Sequence, residues 1–196
     1  MDDLIEDLNQ NKAVILPTET VYGIFAKALN EKAVDSVYQL KQRPRDKAMN
    51  LNISSYEDIV RFSSEQPIYL KKLVSAFLPG PLTIILKANQ KVPVWINSGL
   101  KSVGFRMPNH PKTLAIIKKC GPLIGPSANI SGQESGKYFK KIRETFGEHI
   151  NGLEDDCALT GKDSTILDLS GDKALILRQG AITKSELLRE VPELEF

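Results

Sequence analysis

The chain has 196 residues, 41% hydrophobic and 26% charged, and its 26 Lys and Arg against 24 Asp and Glu leave a net charge of +2. A chain of this length buries roughly 70% of its unfolded surface in one core, so a single domain over residues 1–196 is expected, and the near-balance of charge excludes the whole-molecule positive field of a general nucleic-acid binder. The start is acidic, no run approaches the roughly 20 apolar residues that cross a bilayer, and Cys120 and Cys157 lack C-x-x-C spacing, so a cytoplasmic protein with no membrane partner and with reduced, buried thiols is expected.

Leu4, Ile5 and Leu8 place an apolar stripe on a helix over residues 1–10, and the run Ala13 to Leu16, stopped by Pro17, reads as a buried strand opening into the loop PTETVYG, residues 17–23. Ala33, Val34, Val37, Tyr38 and Leu40 predict a helix over 31–42. It runs into the basic cluster KQRPRDK, residues 41–47, where Pro44 ends it. A strand over 49–53 and helices over 56–62 and 68–78 come next, the second helix halted by Pro79-Gly80-Pro81, and a strand over 82–86 follows that break. A loop carrying Trp95 leads to a strand at 102–106, a helix at 111–119 and a strand at 123–125. The polar, glycine-containing segment 129–137 reads as a loop, before a helix at 138–146, strands at 164–169 and 174–177, and a helix at 184–190. Short apolar runs alternating with amphipathic helices predict an α/β layered fold of the α+β type, a twisted mixed sheet flanked by helices.

The missing motifs exclude whole reaction classes. There is no GxxxxGK[ST] loop, no GxGxxG fingerprint and no GxSxG elbow, and His110 and His149, the only histidines, stand outside any zinc-ligand spacing. No metal site is expected; the pair Asp155-Asp156 reads as a solvated loop. What remains is a series of polar and cationic residues where strands and helices run out into loops, the place where α/β sheets bind ligands. Residues 41–47 carry Lys41, Arg43, Arg45 and Lys47. Such a density suits a polyphosphate gripped by guanidinium forks, and equally suits a solvated helix end complementing its dipole. PTETVYG offers Thr18, Glu19, Thr20 and Tyr22, either as ligand donors or as ordinary turn chemistry. Arg106 ends a strand where a cation meets a carboxylate; GPSANISG holds Ser127, Asn129 and Ser131; DSTILD presents Ser164 and Thr165; ILRQG delivers Arg178 and Gly180.

Taken in order, PTETVYG, KQRP, PGP, GFRMPNHP, PSANISG, DSTILD and ILRQG resemble the motifs of the YrdC-like family across about residues 12 to 182. The resemblance implies a concave, positively charged sheet face in a short single-domain form, without the extra C-terminal domain of longer members. It implies a threonylcarbamoyl-AMP synthase, a nucleotidyltransferase that joins L-threonine, bicarbonate and ATP with release of pyrophosphate, assisted by Mg²⁺. A separate transferase then uses the product for the threonylcarbamoyladenosine modification of tRNA. Carried over by position, Lys41, Arg43 and Lys47 are the phosphate-side, catalytic cations; Ser102, Asn129 and Arg178 join Arg43 and Lys47 as ATP contacts; Thr18, Asn52, Arg106, Ser127 and Ser164 hold threonine. The chain departs from the family pattern at Phe25, where a glycine is usual, at Ala48-Met49 for Pro-Leu, at Asn52 for histidine, and at Gln179 for proline. Competing readings are a YciO-like paralogue with the same pocket and a different substrate, and an RNA-binding module contacting tRNA or other RNA through Lys118, Lys119, Lys137, Lys140, Lys141 and Arg143.

Overall fold

The computed structural model describes residues 1–196. In chain order the elements are α1 (Asp2–Asn9), β1 (Val14–Leu16), β2 (Gly23–Lys27), α2 (Glu31–Leu40), β3 (Asn50–Asn52), α3 (Tyr56–Phe62), α4 (Leu70–Phe77), β4 (Leu82–Lys87), α5 (Val94–Asn97), β5 (Ser102–Arg106), α6 (Pro111–Cys120), β6 (Leu123–Ile124), α7 (Phe139–Phe146), β7 (Thr165–Asp168), β8 (Leu175–Arg178) and α8 (Lys184–Glu190). The helix starts carry their own signals. Asn30 and Ser55 accept the backbone N–H three residues on, His110 does so with Pro111 in the first turn, and Thr183 with Glu186 forms a reciprocal capping box.

The strands form one curled, mixed eight-stranded sheet in the order β1-β2-β6-β3-β5-β4-β7-β8. Only β3/β5 and β4/β7 pair in parallel. Leu51, Phe105, Val103, Ile84, Leu86 and Leu167 point to one face and enter the main core with residues of α3, α4 and α8. On the first half of the sheet the opposite face is covered as well, because Val14, Leu16, Phe25 and Leu123 pack with Leu4 and Leu8 of α1 and Ile116 and Ile117 of α6. That cover stops at β3. Beyond it Asn50, Ile85, Ile166 and Asp168 remain only partly buried, so the second half of the sheet has an open face beside a helical wall.

Three sequence expectations are corrected. Residues 23–27 form β2, an almost wholly buried strand that begins at Gly23, inside the segment 17–23 expected as loop; a run buried on both faces shows no alternation. The loop around Trp95 holds α5, and Trp95 Nε1 donates to the carbonyl of Ala28 at 3.0 Å. Neither thiol is fully buried: Cys157 is exposed and Cys120 half-buried, where burial raises its pKa.

Candidate active site

Ladder register assembles the site. Asn52 pairs with Arg106, Arg106 with Thr83, Thr83 with Ile166, and Ile166 with Arg178. Directly paired residues project to the same face. The five therefore make one row across β3, β5, β4, β7 and β8 on the open face, with Arg106 second in the row and Arg178 at the edge. Two connections close over this row. The segment between β1 and β2 brings Thr18 and Thr20, and the segment after β6 brings Ser127, whose neighbour Ala128 donates to the carbonyl of Tyr22 at 2.7 Å.

The result is a polar cavity of about 180 Å³ that is lined, among others, by Thr18, Thr20, Arg43, Asn52, Thr83, Arg106, Ser127, Asp163, Ser164 and Arg178. It is smaller than the roughly 300–1,000 Å³ typical of clefts for drug-sized ligands. A small polar molecule fills it, and anything larger extends along the open face. Gly104 keeps that face low, since a Cβ there would come within 2.2 Å of Asn50 Oδ1.

Arg106 is the centre of the site. Its Nη2 donates to Glu19 Oε1 at 2.8 Å and to Thr20 Oγ1 at 2.8 Å, while its Nε is buried with no hydrogen-bond partner. Burial pushes its pKa down, and the facing carboxylate of Glu19 pushes it back up. Glu19 is fixed in turn by the N–H of Asn109 at 2.9 Å. The turn that presents Thr20 is held by Thr18, whose hydroxyl donates to the Val21 carbonyl at 2.7 Å and accepts the N–H groups of Thr20 and Val21. Ser164 Oγ lies 3.2 Å from Thr83 Oγ1 and accepts from Arg178 Nη2 at 3.0 Å. Arg43 donates to the carbonyls of Lys47 and Ala48, which shapes its own loop and leaves Nη1 uncommitted.

Of the eleven residues expected from sequence, Thr18, Arg43, Asn52, Arg106, Ser127, Ser164 and Arg178 line this cavity. Lys41, Lys47, Ser102 and Asn129 do not. Lys41 is 2% exposed and donates to the carbonyls of Ser127 and Asn129 at 2.5 Å each. Two of its three ammonium N–H groups thus brace the 127–131 loop. Asn129 closes the same loop, donating to the carbonyls of Ile130 and Gln133. Lys47 is exposed at the rim. Ser102 shares the face of Arg106 but stands four residues away along β5, about 13 Å at the usual strand rise.

Sequence reasoning also missed partners. Glu19 was visible as a carboxylate, yet nothing local ties it to Arg106, 87 residues away. Asp155 and Asp156 are structural rather than simply solvated. Tyr22 Oη donates to Asp156 Oδ1 at 2.7 Å and accepts the Asp155 N–H at 2.8 Å, and His110 Nε2 lies 3.2 Å from Asp155. Burial, and then the hydrogen bond to the Asp156 carboxylate, raise the Tyr22 pKa.

Comparison with known proteins agrees with this architecture. The family model for Sua5, YciO and YrdC proteins, described as telomere recombination, matches residues 6–180, and the chain belongs to this family. It is 35% identical over 191 residues to the threonylcarbamoyl-AMP synthase of Pyrococcus abyssi, covering 96% of this chain and 56% of that one. It is 36% identical to that of Bacillus subtilis, covering 92% and 53%, so it spans about half the length of these two relatives. Against the Vibrio campbellii threonylcarbamoyl-AMP synthase, 30% identical, it covers 91% of this chain and 98% of the relative. The crystal structure of P. abyssi Sua5 complexed with L-threonine superposes with a TM-score of 0.92 at 34% identity, over 98% of this chain and 57% of that one.

Proposed function

We propose that the protein is a threonylcarbamoyl-AMP synthase, making the mixed anhydride from L-threonine, bicarbonate and ATP. The observation that carries this reading is the convergence of three guanidiniums, Arg43, Arg106 and Arg178, on one small polar cavity whose lining includes no histidine or cysteine. Such a site is suited to hold anions in line, and needs no covalent intermediate on the protein. The relatives named for this activity, and the Sua5 crystal structure with L-threonine, support it.

In this account the threonine carboxylate takes the unpartnered edge of Arg106, and its hydroxyl meets the hydroxyl cluster of Thr18, Thr20 and Ser164. The amine combines with bicarbonate, losing water, to give a carbamate. A carbamate oxygen then bonds to the α-phosphorus of ATP as the bond to the bridging oxygen breaks and pyrophosphate leaves. Arg43, Lys47 and Arg178 neutralise the phosphates, and the nucleotide runs out of the cavity along the open face towards Ser102. Lys41 and Asn129 act through the loop they hold. No group of three acid, histidine or cysteine side chains is placed to bind a metal, so Mg²⁺ would be held mainly by phosphate oxygens and water, as is usual for this ion. The product is an activated acyl group, so a separate transferase, acting on tRNA, consumes it in the cytoplasm. With ¹³C-bicarbonate, label recovered in an AMP-linked threonine derivative supports this reading; ATP turnover with no labelled adduct contradicts it.

A further inference from the structure

Asp163 has no task in the reaction as described, yet it is the one carboxylate that lines the cavity. Glu19, the other acid nearby, is committed to Arg106 and Asn109. The backbone of Asp163 is firmly placed. Its carbonyl accepts the N–H of Ala181 at 3.0 Å, and Gly180 packs so closely that an added Cβ would fall within 2.3 Å of that oxygen. Its side chain, by contrast, is only loosely engaged: Ser135 Oγ lies 3.4 Å from Oδ1, and Arg178 Nη1 lies 3.8 Å from Oδ2. Both distances are at or beyond the limit of a good hydrogen bond, so both oxygens keep acceptor capacity.

An amino acid whose carboxylate docks on Arg106 carries its positive nitrogen into the field of three guanidiniums. That field favours a plain carboxylate over a zwitterion unless an anion faces the nitrogen. We infer that Asp163 receives the α-nitrogen of the substrate and is the residue by which the site selects an amino acid over the corresponding hydroxy acid. The position fits. Asp163 is adjacent to Ser164, which bonds Thr83 in the row of Arg106, and Asp163 and Arg106 are near enough to act on each other electrostatically. The inference rests on the synthase reading, and its test separates the two.

Binding of L-threonine and of 3-hydroxybutanoate, which keeps the carboxylate and hydroxyl but lacks the amine, is measured by calorimetry in the presence of ATP and Mg²⁺. Wild type binds threonine at least about tenfold more tightly, the scale of one charge-assisted hydrogen bond. Asp163→Asn, of the same shape, loses that preference with little change in its affinity for 3-hydroxybutanoate, and Asp163→Glu retains it. A purely structural role would weaken both ligands together. Preference intact in Asp163→Asn overturns the inference and leaves the synthase reading standing, as does preference intact with a raised Mg²⁺ requirement, which would make the carboxylate an ion ligand. If wild type binds neither compound, the synthase reading and the inference fall together.

Discussion

Glu19 and Arg106 meet at 2.8 Å across a junction where their side chains are 15% and 13% exposed, and this contact decides which edge of the guanidinium is left for a ligand. The pairing joins the β1–β2 connection to the end of β5, two places with no proximity in sequence. Removing one member of a buried ion pair costs about 3–5 kcal/mol, and the partial exposure here places the expected loss at or below that range. Glu19→Gln therefore lowers stability in urea unfolding and raises the KM for threonine by about tenfold or more, the equivalent of roughly 1.4 kcal/mol. An unchanged KM would mean that Arg106 needs no orientation by Glu19.

Tyr22 is fully buried and its phenol links Asp155 to Asp156. Tyr22→Phe takes the acceptor from the Asp155 N–H and one of two donors from Asp156 Oδ1, which keeps the Phe139 N–H, at a cost of about 1–3 kcal/mol. For a chain of this size each kcal/mol lowers Tm by about 2–4 °C. Thermal unfolding checks the loss, and an unaltered Tm would show that water replaces the phenol without cost.

Lys41 gives a pH signature. Burial, with Arg43 nearby, lowers its pKa from 10.5 to about 8. Between these values the unfolded chain holds more protons than the folded one, so this group makes stability rise with pH across that window; below it both states are protonated and the effect is constant. Lys41→Met removes the slope. The unfolding free energy of wild type minus that of the variant should shift in favour of wild type from pH 8 to pH 10, and a difference flat with pH would contradict the buried-ammonium assignment.

Gly180 lies against backbone on every near side, with a Cβ placed 2.3 Å from the Asp163 carbonyl oxygen and 2.5 Å from the Thr165 nitrogen. Backbone cannot rotate away as a side chain can, so Gly180→Ala costs about 1–3 kcal/mol by overpacking and displaces Asp163 and Ser164 together. Activity should fall more than stability alone explains, read as a lowered kcat/KM at a temperature where the variant remains folded.

The strand ends were legible because apolar runs stop at Pro17, Gly125 and Arg106, and the helices because apolar residues such as Ala33, Val34, Val37 and Tyr38 recur at helical spacing. What the sequence withheld was depth and pairing. Lys41 looks like its neighbours Arg43 and Lys47 in a linear charge cluster, but the C-terminal end of α2 turns it under the 127–131 loop. The ring of Phe25, where the family pattern has glycine, fills the space over Gly23 and Gly125, where a Cβ would meet it at 2.6 and 2.5 Å. The strand expected at 174–177 is there, but Leu175 and Leu177 are exposed, since β8 is the edge of the sheet.

The most direct test of the central claim is pyrophosphate release from ATP by the purified protein with Mg²⁺, comparing reactions that contain both L-threonine and bicarbonate with reactions lacking either. Release that requires both, and that is lost in Arg106→Ala, is the predicted result. Release indifferent to threonine, or ATP binding without turnover, would contradict the assignment of this cavity as a synthase site.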